Sequence, residues 1–220
     1  MVTDGRPEAP LQTLSRGIQA LEELAAADGA LSIGELAARL GLHRSITYRI
    51  VRTLEGHGLV TRGAAGDLVL GAGLAALARN VSRDLQTAVL PELTAIANEY
   101  GMTAFVTVLD AQQVVTLVSV EPRAAVAAVA QRPGTRHALE RGAPGRATRR
   151  LVEKTAGERV YETSHDEVTT GLSSVAVPLD LPGHPPAAIA VVYLTGGTVD
   201  VDGIGTRLAE AAEGIRKEFR

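Results

Sequence analysis

The stretch LSIGELAARLGLHRSITYRIVRTLEGHGLVTR, residues 31–62, decides the fold of the amino-terminal part of the chain. Ser32-Ile33-Gly34-Glu35 has the form of a capping box, a hydroxyl residue followed three positions later by a carboxylate. It opens a short helix whose Leu36, Ala37 and Leu40 face inward. Gly41 supplies the positive φ of a tight turn. A further helix runs from about Arg44 to Glu55, with Ile46, Ile50, Val51 and Leu54 on its apolar side and Ser45, Tyr48, Arg49 and Arg52 opposite. Helix, glycine turn and helix in this spacing suit a helix-turn-helix.

Upstream, Leu11, Leu14, Ile18, Leu21 and Leu24 recur at helical spacing and predict a helix with one buried face, ended by Asp28-Gly29. Downstream, Leu59–Arg62 and Leu68–Leu70 flank the turn Gly63-Ala64-Ala65-Gly66-Asp67, a β-hairpin placed as the wing of a winged helix. Residues 39–62 hold five arginines against Glu55 alone, in a chain whose net charge is −3. An ordinary solvated helix carries such charge too, but it mixes both signs, and no acidic residue lies between Arg44 and Thr53. Guanidinium, phenol and hydroxyl groups match phosphates and base edges. Arg44, Ser45, Tyr48, Arg49 and Arg52, with Arg62 on the wing, are therefore the expected DNA contacts.

In the second half, Ala72–Leu85 reads as a connecting helix and Ala88–Tyr100 as its helical continuation, with Pro91 near the start. Runs at 103–110, 113–120, 126–131, 171–180 and 187–195 read as strands, and Asp202–Phe219 as a closing amphipathic helix. Strands and helices do not alternate strictly, so the expected class is α+β with an antiparallel sheet. Gly142-Ala143-Pro144 starts a helix whose free N–H groups suit an anion, within a segment (123–159) of nine Lys/Arg against three Glu. A plain capped surface helix with scattered arginines has the same local sequence.

Composition narrows the function further. The absence of cysteine excludes disulfides, thiolate zinc sites and cysteine nucleophiles, and 3% aromatic residues argue against stacking on single-stranded nucleic acid. No apolar run approaches a membrane span, and MVTDGRPEAP lacks the apolar core of a signal peptide, so a cytoplasmic protein without membrane contact is expected. His43, His57, His137, His165 and His184 form no zinc pattern, and His165-Asp166-Glu167 reads as a solvated loop. With no GxSxG, P-loop or strand-linked GxGxxG, neither an enzyme nor a cofactor is expected.

Residues 31–62 resemble the IclR family pattern slsliElArrlGLpkStayRllrtLeehGlv, and LVLG resembles its post-wing yrLG, with His43 where the family often has proline. The resemblance implies a winged helix-turn-helix at 10–72, a linker helix at 73–87 and a GAF/profilin-like effector-binding domain at 88–220. GTRHALERGAPGRA is similar to the family's vGsrhpLhrtApGkAlLA, and SHDEVTTGLSSVAVPL to its sheeEvepGvsgiAaPv. In the family these loops surround the effector pocket, which implies Gly134, Thr135, Ala143, Gly145, Ser164, Ser174 and Ala176 as pocket residues. Where members that bind small hydroxy- or oxo-acids often carry hydroxyls on the last strand, this chain has Ala188-Ile189-Ala190-Val191-Val192. Such side chains donate no hydrogen bond. An aromatic or longer aliphatic acid is then expected, its carboxylate at the Ala143–Gly145 helix start. The implied function is a ligand-responsive transcriptional repressor on a pseudo-palindromic duplex operator, as a homodimer or dimer of dimers. The alternative is a metabolite-binding module whose winged helix serves dimerisation.

Overall fold

The computed structural model describes residues 11–79, 81–124, 128–155 and 159–219. The chain divides into two compact units between Val81 and Ser82.

The first unit contains α1 (Gln12–Ala26), α2 (Ile33–Leu40), α3 (Arg44–Gly56), β1 (Val60–Arg62), β2 (Leu68–Leu70) and α4 (Gly73–Ala78). The capping box is complete: Glu35 N–H donates to Ser32 Oγ at 3.2 Å, and Ser32 N–H donates to the Glu35 carboxylate at 2.8 Å. Gly41 closes α2 in the left-handed region, at φ 62°. β1 and β2 pair antiparallel, Val60 opposite Leu70, and Leu31 adds an antiparallel bridge to Leu68. Ala20, Leu24, Leu31, Leu36, Ile50, Val51, Leu54, Val60 and Leu68 form the core. Burying one such leucine or isoleucine contributes about 1.5–3 kcal/mol.

Two helices differ from their sequence reading. In α1 only Ala20 and Leu24 are buried, whereas Leu11, Leu14 and Ile18 are 77%, 61% and 49% exposed. Its contacts with the core are made by its second half, through Ala20 and Leu24. In α3 the buried register is Thr47, Ile50, Val51 and Leu54, and Ile46 is 40% exposed. Thr47 fits the core because its hydroxyl turns back onto the His43 carbonyl, 3.4 Å away. Hydropathy selected the isoleucine; packing selected its neighbour, about 100° further round the helix.

The turn before α4 is a close backbone crossing. Gly71 N–H donates to the Leu59 carbonyl at 2.8 Å and Gly73 N–H to the Gly58 carbonyl at 2.9 Å. A Cβ on Gly71 would stand 2.2 Å from the Gly58 carbonyl oxygen, so only glycine fits.

The second unit contains α5 (Arg83–Tyr100), β3 (Thr103–Asp110), β4 (Gln113–Val120), β5 (Arg136–Ala138), α6 (Gly142–Glu153), β6 (Glu162–His165), β7 (Leu172–Leu179), β8 (Ala187–Leu194) and α7 (Val201–Glu218). The connecting helix expected through Leu85 is interrupted: α4 ends at Ala78, and α5 begins after Ser82, which is left-handed at φ 44°. Pro91 consequently lies in the middle of α5, where it offers no N–H to the Thr87 carbonyl.

The sheet is antiparallel throughout, in the order β5-β4-β3-β8-β7-β6, which makes the fold α+β as expected. Of the strand expected at 126–131, Val126 and Ala127 lie outside the described residues, and residues 128–131 form no strand. They are held instead by side chains, Thr103 donating to the Val129 carbonyl at 2.7 Å and Ser119 to that of Gln131 at 2.5 Å. One sheet face packs on α5 and α7 through Leu93, Ile96, Leu208 and Ile215 against Val106, Val177, Ile189 and Val191. The other receives α6, whose Ala143 and Ala147 meet Phe105, Ala176, Ala188, Ala190 and Val192.

Candidate functional site

The outward face of α3 carries Ser45, Tyr48, Arg49 and Arg52, all exposed, as is Arg44 at its first turn. Among the described residues, Arg39 pairs with Glu23 at 3.5 Å and Arg62 with Glu55 at 2.7 Å, whereas Arg44, Arg49 and Arg52 have no acidic partner. The Arg44 side chain lies over Gly34, where a Cβ would come within 3.1 Å of the guanidinium. His43 caps α3: its Nδ1 lies 2.9 Å from the Ser45 hydroxyl and accepts Ser45 N–H at 3.4 Å. Arg62 differs from the other five. Its Nε holds Glu55 and its Nη1 donates to the Gly66 carbonyl at 3.2 Å, which braces the hairpin against α3. Three unneutralised cations, a phenol and a hydroxyl on the first three turns of one helix can bind a polyanion.

A second candidate site lies in the other unit, on the α6 side of the sheet, as a cleft of about 510 Å³ including its open mouth. Phe105, Pro144, Val168, Leu172 and Val192 give it apolar walls, and Gln131, Thr135, His137, Ser164, Thr169, Ser173 and Ser174 give it polar groups. Of the seven residues expected there, Thr135, Ser164 and Ser174 line it; the two serine hydroxyls are 2.6 Å apart. Gly134 forms the turn beside it, at φ 88°. Ala143, Gly145 and Ala176 lie behind the wall instead, in the seam between α6 and its neighbours. A Cβ on Gly145 would meet the Leu139 carbonyl at 2.5 Å.

His137, Gln131 and Phe105 were not singled out from sequence. His137 lies in β5, which is only three residues long, and Gln131 at the end of the run expected to be a strand. His137 Nδ1 lies 3.1 Å from the Ala138 carbonyl, which assigns the ring proton to Nδ1 and leaves Nε2 as an acceptor. Burial holds the imidazole below its usual pKa, favouring the neutral ring. The described wall contains no Lys, Arg, Asp or Glu.

The amino-terminal end of α6, expected to receive a ligand carboxylate, is occupied by one from the chain itself. Gly142 N–H donates to the Glu167 carboxylate at 3.0 Å, and Arg146 donates to it from Nη1 at 2.5 Å and Nη2 at 2.9 Å. Arg141 donates to the Glu167 backbone carbonyl. The Arg146 hydrogen bonds chiefly, then the Gly142 N–H, hold the Glu167 carboxyl below the ordinary carboxylate pKa. The expectation of a ligand anion at Ala143–Gly145 is corrected accordingly: the helix dipole is already capped. Glu167 belongs to the 166–171 loop, whose Val168 and Thr169 line the cleft, so this loop is also one of its walls.

Among known proteins, the family model of the IclR helix-turn-helix domain matches residues 13–64, which hold α1 from its second residue, α2, α3 and β1. This is an IclR helix-turn-helix. The chain is 34% identical over 113 residues to a helix-turn-helix-type transcriptional regulator of Mycobacterium tuberculosis, covering 51% of this chain and 44% of that protein. It is 34% identical over 103 residues to the transcriptional repressor IclR of Escherichia coli, covering 46% and 38%. The matched stretch thus spans less than half the length of either relative.

Likeness of fold extends much further. The crystal structure of an IclR regulator from Alicyclobacillus acidocaldarius superposes with a TM-score of 0.77 at 23% identity, covering 95% of this chain and 99% of that one. That of an IclR homologue from Microbacterium hydrocarbonoxydans, complexed with 4-hydroxybenzoate, gives 0.76 at 22% identity, covering 94% and 99%. The family match is confined to the amino-terminal helix-turn-helix, and beyond it the likeness to these structures is one of fold. Among the described residues no helix is long and apolar enough to cross a membrane, and no group of three or more His, Cys, Asp or Glu could hold a metal ion.

Proposed function

We propose that this IclR-type chain is a ligand-responsive transcriptional repressor that binds double-stranded DNA through α3. In this reading residues 10–72 are the DNA-binding domain, 73–87 the linker and 88–220 the effector-binding domain, in a cytoplasmic protein. The observation that carries it is the face of α3 on which, among the described residues, Arg44, Arg49 and Arg52 have no acidic partner while Arg39 and Arg62 do. Ser45, Tyr48, Arg49 and Arg52 read or grip the major groove, Arg44 touches it at the helix start, and Arg62 offers its Nη2 to a phosphate from the wing. The exposed stripe of Leu11, Leu14 and Ile18 on α1 supports homodimerisation through a different helix, leaving α3 free for each half of a pseudo-palindrome. The reading in which the winged helix serves dimerisation is thus accommodated on α1 without displacing DNA from α3.

The effector of this reading is an aromatic or longer aliphatic carboxylate. Phe105, Leu172 and Val192 suit its body, and Ser164, Ser174, Thr169 and Gln131 its polar ends. The related Microbacterium protein complexed with 4-hydroxybenzoate supports that class. Effector binding shifts the balance of DNA-binding-competent arrangements by its differential affinity for them.

The full-length chain titrated onto duplexes tiling the DNA upstream of its own gene tests the proposal. One duplex is expected to bind far above the rest, with affinity falling steeply between about 50 and 200 mM salt. Equal affinity for all duplexes, unaltered when Arg44, Arg49 and Arg52 are all changed to Ala, would reject it. For the pocket, thermal shifts with benzoate, 4-hydroxybenzoate and glyoxylate decide: stabilisation by glyoxylate alone rejects the larger acid.

A further inference from the structure

We infer that Ile46 reads the 5-methyl group of a thymine next to the base contacted by Arg49, an inference that rests on the DNA-binding reading of α3. Ile46 is 40% exposed on the first turn of α3. Its buried neighbours in the register are Thr47, Ile50, Val51 and Leu54, so the core does not account for an isoleucine at 46. Helix propensity does not account for it either, since a β-branched residue is less favourable than Ala, Arg or Glu in an exposed helical position.

Its company is specific. Ile46 follows Ser45 and precedes Arg49 by three residues, which places it about 60° from Arg49 around the helix axis and close enough to touch it. The polar and charged side chains Ser45, Tyr48, Arg49 and Arg52 form one face without an acid, and Ile46 borders it on the Arg49 side, between that face and the buried Ile50. The base edges of the major groove have the matching composition. They are donors and acceptors throughout, except for the thymine methyl, while guanine O6 and N7 accept a bidentate arginine. An arginine beside an isoleucine therefore fits a guanine beside a thymine. A serine or alanine at 46 would leave the arginine contact and lose the methyl contact.

The test begins with selection of duplexes from a random library by the full-length chain, followed by replacement of each thymine of the selected site with deoxyuridine, which removes only the methyl. In the wild type one replacement per half-site is expected to weaken binding about fourfold, the value of one buried methyl group. In Ile46→Ala and Ile46→Ser that same replacement is expected to change affinity less than twofold, and the preference for thymine at that position disappears from a repeated selection. Both variants alter an exposed side chain, and their melting temperatures verify folding. A selected site whose deoxyuridine scan is flat in the wild type, or whose sensitive position responds equally in Ile46→Ala, overturns the inference while leaving DNA binding intact. No salt-dependent duplex binding by the wild type overturns the DNA-binding reading itself, and this inference with it.

Discussion

Arg146 grips the Glu167 carboxylate with both terminal nitrogens of its guanidinium, at 2.5 and 2.9 Å. One residue lies in the second turn of α6 and the other in the β6–β7 loop, so the pair ties a wall of the cleft to the helix behind it. Glu167→Gln keeps one acceptor and loses the charge. Hydrogen exchange of the amides at 166–171 is expected to accelerate in that variant, while the strands of the sheet keep their protection. Unchanged exchange in the loop would show that the pair does not hold it.

Acid should act on the same contact. The Glu167 carboxyl is lowered in the folded chain, chiefly by its Arg146 hydrogen bonds. Stability from such a group is fully present above the unfolded carboxyl value, about 4.3, and is lost as pH falls through the folded value. Denaturant midpoints measured from neutral pH down to the acid range should fall less steeply for Glu167→Gln than for the wild type. Parallel curves would assign the acid loss to other carboxylates.

On the DNA side, Arg49→Ala is expected to weaken operator binding and to reduce the slope of log affinity against log salt by about 0.9, the release of one counterion. Arg39→Ala, whose guanidinium already faces Glu23 across 3.5 Å, should change binding far less. Anisotropy titrations at several salt concentrations compare the two directly.

Two glycines of the first unit should respond in opposite directions to alanine. Gly71→Ala drives a Cβ to within 2.2 Å of a backbone oxygen and is expected to cost at least about 1–3 kcal/mol. Gly17→Ala, inside α1 with nothing within 4 Å of the added carbon, should stabilise by about 0.5–1 kcal/mol. Urea midpoints measure both.

Leu14→Glu places a charge in the exposed stripe of α1 and is expected to shift the chain from dimer to monomer in light scattering at micromolar concentration, without unfolding it. A dimer of unchanged stability, or a wild type that is monomeric under the same conditions, would reject α1 as a dimer contact.

Much of this molecule was legible from residues alone where local chemistry dictates structure. The Ser32–Glu35 box, the left-handed Gly41, the wing and the long strands β3, β4, β7 and β8 follow from capping, turn chemistry and β-branched runs. What escaped depends on what packs against what. The α1 stripe looks like a core face, but only Ala20 and Leu24 of that helix reach the core. Ile46 looks buried beside a threonine until the register of α3 is fixed by Ile50, Val51 and Leu54. The pocket was half visible: its serines lie in recognisable segments, but β5 is three residues long and unpatterned, which hid His137. The anion site at α6 was read correctly as suited to a carboxylate and wrongly as vacant, because Glu167 lies 25 residues away in sequence from the N–H it caps.

The alanine-on-alanine seam between α6 and the sheet, Ala143 and Ala147 against Ala176, Ala188 and Ala190, bears on how this unit responds to a guest. Methyl groups in mutual contact leave no long side chains to swing aside, so the helix has little freedom to slide or tilt over the strands. In the proposed reading, differences in effector size are then met by the loop bearing Glu167, and selectivity should change through substitutions in residues 166–171 while the helix and strands stay fixed.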